Sequence, residues 1–278
     1  MMAAMQLQIK SPGEGAGIYP LVRRGQQLKH LSFTLIQLGE GLRRHEFESG
    51  EEELALDFYL GPVRVEVETG EGVWRAEVPG RPSVAEPHAM VFVPPKAAVR
   101  LEAGDGGARI VVAGAAGQAG TRPVMVSGEQ IVRRRVGRDN WQRTVFTHIG
   151  DQVEAAHLIC GETVNEPGGW SSYPPHKHDR FVERAGVAEV PMEEIYYFQI
   201  DPPQGFGFMR IYTDAEDEQE FDVALVVEHG DTVLIPRGYH PVVAGPGYRL
   251  NYSWFLAGEG RVYGAWTDDP RHAWIKDA

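Results

Sequence analysis

The chain has 278 residues, 42% of them hydrophobic, with a formal net charge of -12 and a sequence pI near 5.3. That length supports one large β domain or two ordinary ones with a substantial core, and the acidic balance argues against a nucleic-acid-binding surface, which needs clustered Lys and Arg. A single cysteine, Cys160, excludes an intrachain disulfide framework, and no run of 18 apolar residues is present to span a membrane; the expected setting is the cytoplasm.

Gly (33) and Pro (19) recur between short apolar stretches, the pattern of many short strands joined by turns. In chain order the strands are expected over Leu31 to Leu38, Glu53 to Leu60, Val63 to Val67, Ala89 to Val93, Ala108 to Ala113 and Ala155 to Cys160. They continue over Ile195 to Ile200, Phe206 to Thr213, Phe221 to Val227, Asp231 to Ile235 and Tyr248 to Leu256. Amphipathic helices are scarce, so an all-β barrel or sandwich is expected rather than a parallel α/β sheet. The Gly-rich stretch Gly13 to Gly17 has no strand before it and no helix after it, which argues against a nucleotide site.

A weak repeat refines this. Met90 to Val99 can be laid over Thr232 to Pro241, each a short apolar strand ending in a proline turn that starts a return strand. The halves therefore read as two copies of one β unit, divided within the polar stretch Gly114 to Trp141. We place the domains at 1–125 and 126–278. The run Arg133-Arg134-Arg135 near that border reads as a solvated or interdomain ion-pairing feature.

The chemistry concentrates in the second half. In an extended strand alternate residues face one side, so in Pro175-His176-Lys177-His178 the two imidazoles point together and Lys177 points away, out of the barrel. A paired H-x-H on a solvated strand is common, but a carboxylate and a third imidazole follow. Glu194 opens the β-type run Ile195-Tyr196-Tyr197-Phe198, and His240 follows the turn Pro236-Arg237-Gly238-Tyr239. Three imidazoles and a carboxylate make a mixed N/O shell for one divalent first-row metal: Zn, Mn, Fe or Ni. Glu194 is preferred as the carboxylate because a strand holds a ligand more rigidly than a loop, with Glu183, nearer in sequence, as its competitor. Under the repeat overlay Ala98 stands where His240 stands, which confines the metal to the C-terminal half.

Pro175-His176-Lys177-His178, a later strand-opening Glu, and Gly230-Asp231-x-Val233-x-Ile235-Pro236-x-Gly238-x-His240 resemble the two metal-binding motifs of the cupin superfamily. The wider context, Asn165 to Asp179 and Glu193 to Phe198, resembles the 5-deoxy-glucuronate isomerase family of myo-inositol catabolism, and the likeness runs from about His30 to Trp274. It implies a bicupin of two tandem antiparallel jelly-roll barrels, of which only the C-terminal one binds metal. It also implies an aldose to ketose isomerisation, 5-deoxy-D-glucuronate to 2-deoxy-5-keto-D-gluconate. The sequence departs from the simple cupin pattern in the 15-residue gap between His178 and Glu194.

Candidates for a sugar-acid substrate are Arg180 and Arg237 for its carboxylate and Tyr239 and Tyr252 for its hydroxyls. The segment Asp179 to Val190 is either a lid or an ordinary surface loop, and the general base is not assigned. Two other readings fit the same ligands: a cupin oxygenase, and a non-catalytic sugar-acid-binding bicupin. The sequence leaves room for a homo-oligomer and points to no nucleic-acid or membrane partner.

Overall fold

A computed structural model describes residues 6–184, 187–217 and 219–278, with Arg184 and Val187 as backbone only. The chain adopts the all-β architecture. Up to Val126 its strands are β1 (Gln8–Ile9), β2 (Gly17–Val22), β3 (Ser32–Leu38), β4 (Arg44–Glu48), β5 (Glu52–Leu60), β6 (Val63–Thr69), β7 (Gly72–Val78), β8 (Met90–Val93), β9 (Ala98–Ala103), β10 (Ala108–Ala116) and β11 (Val124–Val126). Then come β12 (Val132–Val136), β13 (Arg143–Ile149), β14 (Ile159–Asn165), β15 (Trp170–Ser171), β16 (His176–Lys177), β17 (Val182–Arg184) and β18 (Val187–Glu189). The last are β19 (Met192–Asp201), β20 (Phe206–Tyr212), β21 (Asp222–Glu228), β22 (Thr232–Ile235), β23 (Val242–Ala244), β24 (Arg249–Gly258) and β25 (Thr267–Asp268). Among the described residues the helical segments are short 3-10 turns at Gly128–Gln130, Asp139–Trp141 and Ala273–Lys276.

The chain divides into two compact units. The first comprises Pro12–Val132 with Thr147–Gly161; the second comprises the residues up to Ser11, Arg133–Phe146 and Glu162–Ala278. A six-stranded sheet, β11-β8-β5-β10-β3-β2, faces a four-stranded sheet, β4-β9-β6-β7, in the first unit. Alternation sets which side chains fill the space between them. Val63, Val65 and Val67 of β6 and Val99 and Leu101 of β9 meet Leu54, Leu56 and Phe58 of β5 in one buried cluster. On the outer face of the smaller sheet the intervening residues pair across strands instead: Arg100 with Glu46 and Glu66, Arg75 with Glu66, and Arg44 with Glu102. Exposed pairs of this kind contribute little to stability, because solvent screens them. Their larger effect is to keep that face wet and to fix register.

The second unit repeats the topology, with sheets β1-β22-β19-β24-β14-β13-β12 and β15-β23-β20-β21. β19 and β24 pair along their whole length, Met192 opposite Gly258 through Asp201 opposite Arg249, and are buried on both faces over most of it. The repeated strands Met90 to Val93 and Thr232 to Ile235 hold equivalent places, β8 beside β5 and β22 beside β19. β1 supplies the outer neighbour of β22 through Gln8 opposite Val233 and Ile9 opposite Thr232, while β11 supplies that of β8.

Several local expectations need correction. The apolar run Ala155 to Cys160 forms a strand only from Ile159; Ala156, His157 and Leu158 instead donate their N–H groups to the carboxylate of Glu53, at 2.7, 2.8 and 2.7 Å. Glu53 is fully buried, and three backbone donors on one carboxylate account for a charged group at that depth. The segment Asp179 to Val190 is not a plain loop, since β17 and β18 pair as a hairpin; Ala185 and Gly186 lie outside the described residues. Arg133, Arg134 and Arg135 are exposed on β12.

Candidate metal centre

β16 pairs with β25, His176 opposite Asp268 and Lys177 opposite Thr267, which fixes the strand that carries the first two imidazoles. The Asp269 N–H donates to the Pro175 carbonyl at 2.7 Å and closes the same ladder. Alternation then separates the side chains as expected. The rings of His176 and His178 have centroids 6.3 Å apart, while Lys177 turns away from them. Lys177 does not reach solvent, however: it is buried and its Nζ lies 3.1 Å from Asp179 and 2.9 Å from Asp214. The expectation that it leaves the barrel is right in direction and wrong in environment, because two carboxylates meet it there.

His178 is tied to the start of β19 twice. The Met192 N–H donates to its carbonyl at 2.8 Å, and its Nδ1 lies 2.9 Å from the Met192 carbonyl oxygen. Two residues on, Glu194 projects from the same face of β19, buried between Ile235 of β22 and Leu256 of β24. Glu183 is exposed on β17, opposite Ala188. His240 is set by the turn before it. Gly238 has φ of +93°, and a Cβ there would meet the Tyr212 carbonyl oxygen at 2.6 Å, so the position requires glycine. Its N–H donates to Asp179 at 2.8 Å and its carbonyl lies 2.8 Å from Nδ1 of His240.

These bonds decide the tautomers. Each Nδ1 faces a carbonyl, which only accepts, so Nδ1 carries the proton and Nε2 presents a lone pair. Both Nε2 atoms lie 3.3 Å from the same oxygen, Oε2 of Glu194. Three buried acceptors therefore converge, and that arrangement is repulsive unless a proton or a cation stands among them. The buried Nε2 of His240 has no hydrogen-bond partner among the described residues. For metal bonds of about 2.0 to 2.1 Å, tetrahedral or octahedral geometry puts neighbouring donors roughly 3 to 3.4 Å apart. The residues fit a divalent ion. His178, Glu194 and His240 offer donor atoms that all lie within 4.8 Å of one another, and the His176 ring stands edge-on to His240 with centroids 4.9 Å apart.

The electrostatics follow from burial. Burial is the main cause that pushes the His240 pKa down to about 4, with the Glu194 charge opposing it. Burial, then the neighbouring imidazoles and Arg143, hold that of His176 well below its ordinary value. His178 is also disfavoured by burial, but its hydrogen bond to Glu194 and the carboxylate charge outweigh this and raise it. One shared proton is thus the best the protein alone provides, whereas a cation satisfies all three donors.

Around this group lies a belt of hydroxyls and rings. Tyr196 and Tyr252 stack at 4.2 Å; Tyr252 donates to Ser171 at 2.9 Å, and Ser172 shares hydrogen bonds with both phenols. Burial, reinforced at Tyr196 by the Glu194 charge, raises both phenol pKa values. Trp266 lies 5.2 Å from the His176 ring.

The arginines chosen from sequence are engaged elsewhere. Arg180 pairs with Asp214, Glu216 and Asp217 at 2.7, 2.7 and 3.1 Å. Arg237 donates to the Gln219 carbonyl and lies over the Phe221 ring. Tyr239 stacks on Tyr212 and lines a cavity of about 500 Å³ with Asp214, Glu216 and Asp269. Of the four substrate candidates, only Tyr252 is packed against the belt beside the imidazoles. Sequence reasoning assigned no role to Ser171, Ser172 and Tyr196, although they lie in the stretches that carry the family likeness, nor to Arg143, which lies outside them.

Residues 7–275 match the KduI/IolB family. The chain is 32% identical to a 5-deoxy-glucuronate isomerase of Halalkalibacterium halodurans, covering 93% of this chain and 92% of that one. It is 33% identical to the enzyme of the same name from Listeria monocytogenes serotype 4a, covering 89% and 88%. Among solved structures it is similar to an IolB-like protein from Salmonella typhimurium LT2, with TM-score 0.86, 28% identity and coverage of 98% and 99%. The oxalate decarboxylase of Lactobacillus farciminis, at 12% identity, TM-score 0.66 and coverage of 100% and 92%, shares the bicupin fold.

Proposed function

This chain belongs to the KduI/IolB family, and from that premise we propose that it is a metal-dependent 5-deoxy-glucuronate isomerase. It converts 5-deoxy-D-glucuronate to 2-deoxy-5-keto-D-gluconate. The observation that carries the metal is the convergence of two Nε2 lone pairs on one carboxylate oxygen of Glu194. His178, Glu194 and His240 would hold the ion, with His176 completing the shell, and Glu183 would take no part. Zn, Mn, Fe and Ni all suit such a donor set.

The reaction moves one proton from carbon 2 to carbon 1 and one between the two oxygens, so substrate and product have the same composition and no oxidant is consumed. A bound divalent ion supplies Lewis acidity for the carbonyl oxygen and for the negative charge that develops as the carbon-bound proton leaves. The protein's part is to hold the donors rigid: the Met192 and Gly238 carbonyls fix both imidazole tautomers, which keeps each Nε2 directed inward. Tyr196 and Tyr252 stay protonated because burial raises them, so they serve as hydrogen-bonding hydroxyls for a polyhydroxy chain, not as bases.

Metal analysis of the purified protein combined with an anaerobic assay on 5-deoxy-glucuronate, following loss of the aldehyde, tests the reading. About one equivalent of a divalent ion and undiminished turnover without oxygen are expected. Loss of turnover without oxygen would point to an oxygenase, and binding without turnover to a non-catalytic protein.

A further inference from the structure

The first residue of β13, Arg143, is half-buried beside the imidazoles and lacks what every buried arginine needs. Its Nη1 donates to two carbonyls, Trp141 at 3.2 Å and Tyr173 at 3.0 Å, and the second lies three residues before His176. Among the described residues no carboxylate comes within ion-pair distance of it, and its Nε and Nη2 make no hydrogen bond to protein. Four other arginines of this unit are neutralised: Arg180 by Asp214, Arg210 by Asp222, Arg249 by Glu166 and Arg271 by Asp269. Asp268, close enough for its charge to reach Arg143, is already paired with Lys276. The remaining groups in that field are the phenols of Tyr252, Tyr196 and Tyr263 and the His176 ring.

Partial burial of a guanidinium with no carboxylate paired to it costs free energy that two carbonyls and the Trp141 ring, 5.9 Å from its Cζ, return only in part. Nε and Nη2 form the side of the guanidinium that meets a carboxylate through two parallel hydrogen bonds. Nη1, meanwhile, anchors the group to the segment that leads into the first imidazole, so the fork is fixed relative to β16.

We propose that Arg143 binds the carboxylate of the substrate, and so sets which end of the sugar acid faces the metal donors. This rests on the isomerase reading above. It assigns the carboxylate to a residue that no motif marks and removes the need for Arg180, whose fork is filled by acids, or for Arg237, whose Nη2 is held by the Gln219 carbonyl and whose Nε lies 3.9 Å from Asp217.

The test compares wild type with Arg143→Gln and Arg143→Lys on two substrates, 5-deoxy-glucuronate and its uncharged uronamide. Loss of a bidentate charged contact predicts KM for the acid raised roughly 100-fold in Arg143→Gln, with kcat changed far less. Arg143→Lys, which keeps charge without the fork, should fall between. On the uronamide the variants should match wild type within about 3-fold. Equal losses on both substrates in correctly folded, metal-loaded variants would make Arg143 a structural brace and overturn the proposal. Should wild type turn over neither substrate, the isomerase reading fails separately, and calorimetric binding of D-glucuronate against D-glucuronamide still decides the role of Arg143. Arg143-dependent preference for the acid supports the proposal, and its absence overturns it.

Discussion

Replacing Glu53 should unfold the first unit more effectively than its single side chain suggests. Its two oxygens accept three backbone N–H groups, from Ala156, His157 and Leu158. In Glu53→Ala the carboxylate disappears while the three donors remain, since they belong to the main chain. Leu158 is buried, so its N–H loses its partner outright; Ala156 and His157 are half-buried and regain water in part. One full loss at about 2 kcal/mol and two partial ones at about 1 kcal/mol each give about 4 kcal/mol. That is a large share of the 5 to 15 kcal/mol or so that holds a domain together. Glu53→Gln separates charge from packing: it keeps the volume but turns an NH2 group toward at least one donor, and about 2 kcal/mol is expected. Urea unfolding gives the magnitudes, and hydrogen exchange at the Leu158 amide locates them. A loss under 1 kcal/mol in Glu53→Ala, with the Leu158 amide still protected, would refute the reasoning.

At the metal donors, Glu194→Gln should weaken metal binding by at least about 100-fold while Glu183→Gln leaves it unchanged, as read by metal content after dialysis; the reverse result would move the carboxylate to the hairpin. Lys177→Met removes the cation between Asp179 and Asp214. Asp179 is then left with the Gly238 N–H and the more distant Arg180, so a cost of about 2 kcal/mol is expected in urea unfolding, and no loss would show that the pair is not coupled to the fold. The pKa of Asp214 is lowered from 3.8 to about 2; burial opposes this, but the hydrogen bonds from Lys177 and Arg180 dominate. A folded pKa below the unfolded one means stability present above about pH 3.8 and lost as pH falls toward 2, about 2 kcal/mol in all. Asp214→Asn should therefore be less stable than wild type at pH 6, and the difference should close between pH 4 and 2. A gap that stays constant across that range would contradict the linkage.

How much of this was legible in the sequence depended on whether the cause was local. The histidine pair was readable because a period of two is a property of the strand itself, and Glu194 because a β-type aromatic run follows it directly. Distance in space defeated the rest. Ala155 to Leu158 has strand composition, but its donors are claimed by a carboxylate about a hundred positions earlier, which periodicity cannot register. Arg180 and Arg237 are near the histidines in sequence, yet acids on the segment between β20 and β21 reach Arg180 first. Arg143 stands 33 positions before His176, and only its isolation at the head of an apolar strand could have drawn notice. Lys177 shows the limit of alternation, which gives the direction of a side chain and not what lies there.

The pairing of β1 with β22 makes the second unit discontinuous along the chain. Residues 8 and 9 close the open edge of the strand that leads to His240, and Leu7 and Lys10 extend the join, the first through its carbonyl to the Leu234 N–H and the second through Asp231. A fragment beginning at residue 126 would bear His178, Glu194 and His240 and still present β22 as a bare strand edge, the kind of surface on which chains aggregate. The half that carries His178, Glu194 and His240 therefore depends on a short segment that precedes the whole of the other half along the chain.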